Sequence, residues 1–300
     1  WEGDLCLDDC DEGIIAFIGH FSGICEECLD GGYCSEMFGD GEGSGKWKGF
    51  TLDSASHETV FEYVRISGAV KSDGAGMSMV YSNPILNHVT ISDNGYHNYD
   101  SRGGGIFLEY SNPELNNVMI NSNWAGQAGG IFFYNSSPSM NNIRISENYA
   151  YDGGGGVYVY NSSPSMNNIR ISENHSNGGA GGMMIRFDSN PIFVNMEVTE
   201  NTAEGCIDSY ICEKGSAIEI EYDSNPLFIN TIITNNMIIE GAGSAIYINS
   251  CYGSPGPIFI NTTISGNISS DNAGIHMRQG DSHFSMINSI IWNNGPSILV

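Results

Sequence analysis

The segment Tyr-Asn-Ser-Ser-Pro-Ser-Met-Asn-Asn-Ile-Arg-Ile-Ser-Glu-Asn stands at 134–148 and recurs without a change at 160–174. The offset of 26 residues is short for two packed helices per repeat and suits one turn of a β-solenoid. A looser version runs along most of the chain, each copy anchored on a proline: Pro84, Pro113, Pro138, Pro164, Pro191, Pro226 and Pro257. Four residues later stands His88, Asn117, Asn142, Asn168, Asn195, Asn230 or Asn261. Ten residues later stands Asn94, Asn123, Asn148, Asn174, Asn201, Asn236 or Asn267. A further copy lacks the proline but keeps Asn288 and Asn294, and a degenerate copy at 61–67 precedes the first proline.

Between the two asparagines the pattern alternates with a period of two. Val89 and Ile91, Val118 and Ile120, Ile143 and Ile145, and Ile169 and Ile171 face inward, with Thr90, Met119, Arg144 and Arg170 between them facing out. Leu86, Leu115, Met140, Met166, Phe193, Phe228 and Phe259 join the inward set. A second strand precedes each proline and opens on small residues, as in Gly104-Gly105-Ile106 and Ser216-Ala217-Ile218. Glycine there allows a corner or a close backbone approach. The Ser-Asn-Pro or Ser-Ser-Pro that follows is a turn. Two or three strands per coil, about eight or nine coils stacked about 4.8 Å apart, make an all-β rod. Aligned asparagines then form hydrogen-bonded ladders, which is the role expected for both series.

The run Gly-Gly-Ile followed by Asn-Pro-x-Leu-x-Asn-Val-x-Ile-x-x-Asn resembles right-handed parallel β-helix repeat proteins of the pectin-lyase-like type. Phe193-Val194-Asn195, Phe228-Ile229-Asn230 and the Gly-Ser-Ala-Ile at 243–246 are similar to repeats of bacterial polymorphic outer-membrane proteins. The resemblance covers about Trp47 to the C-terminus and implies a right-handed parallel β-helix at 46–300. It says little about activity, because this fold hosts lyases, hydrolases, adhesins and plain scaffolds.

Length varies in one place, between the second asparagine and the glycine strand. The segment is long at 95–102 and longest at 202–215. In a solenoid such insertions project from one edge of the rod, which makes that edge the best candidate for a binding surface, although plain drift in loop length is the preferred reading. The longest insertion holds Cys206 and Cys212, whose spacing permits a disulfide closing a small loop.

Residues 1–45 do not follow the repeat. They carry Cys6, Cys10, Cys25, Cys28 and Cys34, and read as an acidic, cysteine-stapled cap over the first coil, with two disulfides and one thiol left over. Asp8, Asp9, Asp11 and Glu12 are the calcium candidates, but they lack the order of a calcium loop, and a solvated acidic loop is the preferred reading. No other cofactor or metal is expected. The chain stops at 294–300, in mid-coil. Either the natural protein continues or another subunit covers the end, and the second case would stack copies head to tail into a filament.

Ten Lys and Arg against 35 Asp and Glu give a formal charge of −25. That field makes nucleic acid and anionic membrane surfaces poor partners. No apolar run is long enough to span a membrane. Eight cysteines, five of them in the cap, fit an oxidising compartment. The expected location is therefore extracellular or cell-surface, in a processed form, with a second copy, surface glycans or another extracellular protein as partner. Asn135 and Asn161 open the proline corner and are the glycosylation candidates, whereas Asn174 and Asn267 are ladder positions.

Catalysis on polysaccharides is the alternative that the resemblance raises. Glycoside hydrolysis needs two carboxylates about 5–10 Å apart, and Glu147, Glu173 and Glu200 occupy equivalent positions in neighbouring coils. A solvated acidic edge that attracts cations is the preferred reading of them. Lyases of this fold family use Arg or Lys with calcium-binding acids, but basic residues here are few and scattered. The Asn-Thr-Asp, Asp-Asp, Gly-His-Gly and Arg-x-Lys motifs of polygalacturonases are absent as a set, and Gly19-His20 lies in the cap. The outward series Thr90, Met119, Arg144, Arg170 and Glu197 is too mixed for an ice-binding array. No catalytic residue is assigned. The preferred reading is a non-catalytic structural or adhesive surface protein, in which Phe107, Trp124, Tyr158 and Tyr160 are candidates for stacking on sugars, with core or edge packing as the equal alternative.

Overall fold

The computed structural model describes residues 47–204, 214–239, 243–249, 255–269, 274–278 and 283–295, together with the backbone of Phe17–Ile18. The cap cysteines and acids, Cys206 and Cys212 lie outside the described residues.

The chain winds as a parallel β-solenoid with three sheets. One holds nine strands, each the glycine strand of its coil, from Phe50–Asp53 to Ile275–Arg278. The largest sheet holds the strands after the proline corner, two short ones per coil, such as Glu114–Asn116 and Met119–Asn121. In three coils they fuse into the single strands Ser139–Ser146, Ser165–Ser172 and Ile192–Thr199, each bent where Asn142, Asn168 or Asn195 takes a φ of 55–56°. A third sheet of five strands follows the second asparagine: Trp124–Gln127, Tyr149–Asp152, His175–Ser176, Thr202–Ala203 and Met237–Ile238. Every described coil-to-coil pairing is parallel and joins equivalent positions, as in Arg144 with Arg170 and Ile145 with Ile171. Phe17–Ile18 lies antiparallel on Val60 and Phe61 of the first coil.

The core is a set of columns along the rod. Leu86, Leu115, Met140, Met166, Phe193, Phe228 and Phe259 form one, with exposures of 0–1%. Phe193, Phe228 and Phe259 stack at 5.1 and 4.8 Å. Such apolar columns supply the hydrophobic drive that parallel strands need, since they cannot be stabilised by local hairpins.

The two asparagine series have different physical reasons. The inner series, Asn94 to Asn294, points into the rod. Each Nδ2 donates to the Oδ1 of the next rung at 2.8–3.0 Å. The same Oδ1 also accepts the preceding rung's backbone N–H, as Asn174 does from Asn148 at 3.0 Å. The second hydrogen of Nδ2 goes to a strand carbonyl, as from Asn148 to Ile120 at 3.0 Å. The glycine pair fits this ladder. A methyl on Gly105 would fall 2.8 Å from Ile120 Cγ2 and 3.1 Å from Asn123 Nδ2. The small residue is thus demanded by the approach of a core methyl and a ladder amide.

The outer series lies on the surface, and its ladder is less regular than the sequence suggests. Asn117, Asn142, Asn168, Asn195, Asn230, Asn261 and Asn288 all have φ between 50 and 56°, where asparagine is tolerated better than most residues. Asn142 donates to Asn117, Asn195 to Asn168, Asn230 to Asn195 and Asn261 to Asn230, at 2.6–3.3 Å. Asn117, however, donates to Asn87, and Asn168 reaches Asn141. Asn288 takes the same backbone conformation. The backbone bend is common to every member of this column, whereas the rungs are not.

The corners add serine columns. The backbone N–H groups of Ser82, Ser111, Ser136 and Ser162 donate to the hydroxyl of the next coil's serine at 2.8–3.1 Å. Asn161 donates to Asn135 on the outer side of the same corner. Asn174 and Asn267 are internal rungs, 0% and 1% exposed.

Candidate functional site

The residue directly after each inner asparagine points outward on the third sheet. Three coils in succession place an aromatic ring there: Trp124, Tyr149 and His175, followed by Thr202. The rings stack along the rod, Trp124 on Tyr149 at 5.7 Å and Tyr149 on His175 at 5.2 Å. The insertion at 95–102 folds onto this row. His97 lies on Trp124 at 4.0 Å, and Tyr99 meets Tyr151 at 4.2 Å. Tyr151 stands nearly perpendicular to both Trp124 and Tyr149. The result is a six-ring platform at the insertion edge, with Tyr99 on top and 68% exposed.

Polar groups fringe the platform. His175 is held by Thr202 Oγ1 at 2.8 Å and Asn177 Oδ1 at 2.9 Å, with a carboxylate oxygen of Glu204 3.6 Å away. A hydrogen bond with Tyr99 raises the pKa of the Tyr151 phenol. Burial raises that of Tyr149, and the hydrogen bond to Asn177 opposes it. Both phenols therefore remain neutral donors and acceptors through physiological pH. Flat apolar faces ringed by hydroxyl, amide and imidazole groups suit a ligand with one apolar and one polar side.

Of the four candidate sugar-stacking aromatics, two take the packing alternative. Phe107 and Tyr158 point away from the core but are only 2% and 4% exposed. The Arg102 guanidinium covers Phe107 at 4.5 Å. The loop over Tyr158 is so close that a methyl on Gly153 would fall 2.5 Å from the ring. These rings form a satellite apolar cluster with Phe132 and Met184. Tyr160 is half-buried in another surface row, Tyr81–Tyr110–Tyr134–Tyr160–Phe187–Tyr222, with neighbouring centroids 4.6–6.1 Å apart. Trp124 alone of the four sits in the platform. Tyr149, Tyr151, His97 and Tyr99 escape a reading coil by coil, although aligning the position after each inner asparagine exposes Trp124, Tyr149 and His175 as a column.

A buried ionic network adjoins the edge where the longest insertion begins and ends. Arg186 Nη2 lies 3.3 Å from Glu219, and Nε pairs with Glu221 without hydrogen-bond alignment. Lys214 Nζ donates to the Asn177 carbonyl at 3.2 Å. Glu219 and Glu221 are each 5% exposed, and one oxygen of each has no hydrogen-bond partner. Burial, then Glu221, pushes Glu219 up to about 8, against the pull of Arg186 and Lys214. Burial lowers Lys214. For Arg186, burial opposes the charge, but Tyr158, Glu219 and Glu221 outweigh it and the guanidinium stays protonated. This cluster follows a register shift between Gly215 and Ile218, which the sequence does not reveal.

Glu147, Glu173 and Glu200 stack on the surface at φ 56–58° beside the inner ladder. Arg144 and Arg170 are neighbours on the outer face, and Arg170 pairs with Glu197 at 2.7 Å. Among the described residues, no group of three or more His, Cys, Asp or Glu side chains is arranged to hold a metal ion. No described helix is long and apolar enough to cross a membrane.

No curated protein and no solved structure matches the chain. A family model for the right-handed β-helix region matches residues 43–203 and 115–300. Together with the parallel coils and the asparagine ladder, this match shows that the chain belongs to the right-handed β-helix family.

Proposed function

We propose that this protein is a non-catalytic, adhesive β-helix of a cell surface, which binds glycans along its insertion edge. The observation that carries the reading is the six-ring platform of His97, Tyr99, Trp124, Tyr149, Tyr151 and His175. Pyranose rings present C–H faces that pack on aromatic rings and hydroxyl rims that bond to amides, phenols and imidazoles. A rod held by interior ladders keeps such a platform rigid, so little ordering entropy is lost on binding. Location outside the cell belongs to the same proposal and is supported by the cysteine content and the acidic, solubilising surface.

Degradation of polysaccharides is the competing reading. Acid–base hydrolysis needs two carboxyl groups whose environments differ. Glu147, Glu173 and Glu200 share one backbone conformation and one exposed surface, so nothing in their setting separates an acid from a base. A glycan array with a parallel reducing-sugar assay tests the proposal. Binding that is lost in Trp124→Ala and Tyr99→Ala, with no sugar released, is the expected result. Release of reducing ends, abolished by replacing one of the three glutamates, would overturn it.

A further inference from the structure

A second surface carries a different recognition chemistry. Where the strands of the largest sheet bend at the outer asparagines, a shallow groove of about 420 Å³ crosses four coils. Its volume is within the range of small-molecule sites. Its floor is Val118, Ile143 and Ile169, each 2% exposed. One wall is the carboxamide column that includes Asn117, Asn142 and Asn195. A ladder contact uses one N–H and one lone pair of each amide, which leaves another donor and acceptor for a ligand. Arg144 and Arg170 line the groove as well, together with Glu197, whose carboxylate is taken up by Arg170.

The other arginines of the rod have partners, and four of them are matched with acids. Arg65 lies 3.9 Å from Asp93, Arg102 2.7 Å from Asp73, Arg170 2.7 Å from Glu197 and Arg186 3.3 Å from Glu219. Arg278 has a partner too. Arg144 has no acidic group within ion-pair distance among the described residues, and it sits mid-groove on a chain of formal charge −25.

Geometry and charge select the ligand. The amides repeat at the coil spacing of about 4.8 Å, whereas an extended peptide repeats about every 3.3 Å, so a peptide falls out of step with the column. A chain of pyranose units, each longer than an amino-acid residue, keeps step better and offers hydroxyls to amides. One uncompensated guanidinium matches one carboxylate, bidentately. A polyanion would carry surplus charge into an acidic field. We propose that the groove around Arg144 binds a mostly neutral oligosaccharide carrying a single carboxylated sugar. The site lies on a different sheet from the aromatic platform and does not depend on it.

Calorimetric titration of the full chain with lactose, sialyllactose and trigalacturonate tests this. Sialyllactose should bind at least about tenfold more tightly than lactose, the scale of one charge-assisted contact, and trigalacturonate more weakly than sialyllactose. Arg144→Ala should abolish the preference for sialyllactose, Arg144→Lys should keep part of it, and Trp124→Ala should leave it intact. Unfolding curves matching wild type confirm that the variants fold. Equal binding of lactose and sialyllactose, no binding of either at millimolar concentration, tighter binding of trigalacturonate, or a preference that survives Arg144→Ala would each overturn the proposal. Failure here with Trp124-dependent array binding intact would remove the groove and leave the adhesive reading standing.

Discussion

The inner and outer asparagine columns use the same side chain for opposite ends. Asn148 is 1% exposed, and its amide gives and takes hydrogen bonds in both directions along the stack. Asn142, six residues earlier in the same coil, faces solvent at φ 56° and has one rung at 2.6 Å. Buried amides must be satisfied within the protein, so the inner column admits little else. The outer column needs a residue that tolerates the bend, and its spare hydrogen-bonding capacity is free for a ligand. One column holds the coils together while the other remains available for recognition.

The comparison breaks most visibly at the inner rung. Asn148→Ala strands the Asn123 backbone N–H, the Asn123 amide and the Ile120 carbonyl, and should cost about 3 kcal/mol or more. Urea unfolding followed by circular dichroism measures this, and a loss under about 1 kcal/mol would contradict the inner column's role.

Glu219 supplies the intermediate case, a buried polar group without the ladder's closure. Its pKa is raised to about 8 in the folded chain by burial and by Glu221, against about 4.3 when unfolded. The folded state thus holds the proton more tightly. Its contribution to stability is fully present below the unfolded pKa and is lost as pH rises through about 8. Glu219→Gln should remove that part of the pH dependence and be the more stable form at pH 9, by on the order of 1 kcal/mol. Parallel melting curves at pH 5 and pH 9 would show the same slope in both proteins if the carboxyl were not the cause.

The outer column should respond less. Asn142→Ala places a less tolerant residue in the left-handed region and should cost about 1 kcal/mol, whereas Asn142→Gly should change stability by less than about 0.5 kcal/mol. If Gly were as costly as Ala, the rung rather than the bend would be holding the column. The smallest effect is a gain. Glu147 carries a like charge beside Glu173 at φ 56°, so Glu147→Asn should stabilise by a few tenths of a kcal/mol. A small rise in the melting midpoint checks it.

The fold was legible because its causes repeat. The proline, the two asparagine offsets and the alternating isoleucines each recur at fixed register, and the coils pair at those positions. Surface chemistry was harder to read because it depends on what covers each residue. Phe107 and Tyr158 share the outward register of exposed positions, yet Arg102 and the Gly153 loop bury them. Tyr99 reaches Tyr151, two coils away, through an insertion whose path no repeat encodes. Trp124, Tyr149 and His175 were readable as a column. Arg186 meets Glu219 across a regular strand pairing, and the register shift before Ile218 lies on the other side of the same strand, against Gly243–Asn249, where only the structure shows it.

The division of labour between the columns is tested most directly by paired double-mutant cycles. Asn148→Ala with Asn174→Ala is one cycle, and Asn117→Ala with Asn142→Ala, the shortest outer rung, is the other, both read by urea unfolding. The inner pair should be coupled by about 1 kcal/mol or more and the outer pair by less than about 0.3 kcal/mol. Equal coupling in the two cycles, or a larger value for the outer pair, would contradict the account.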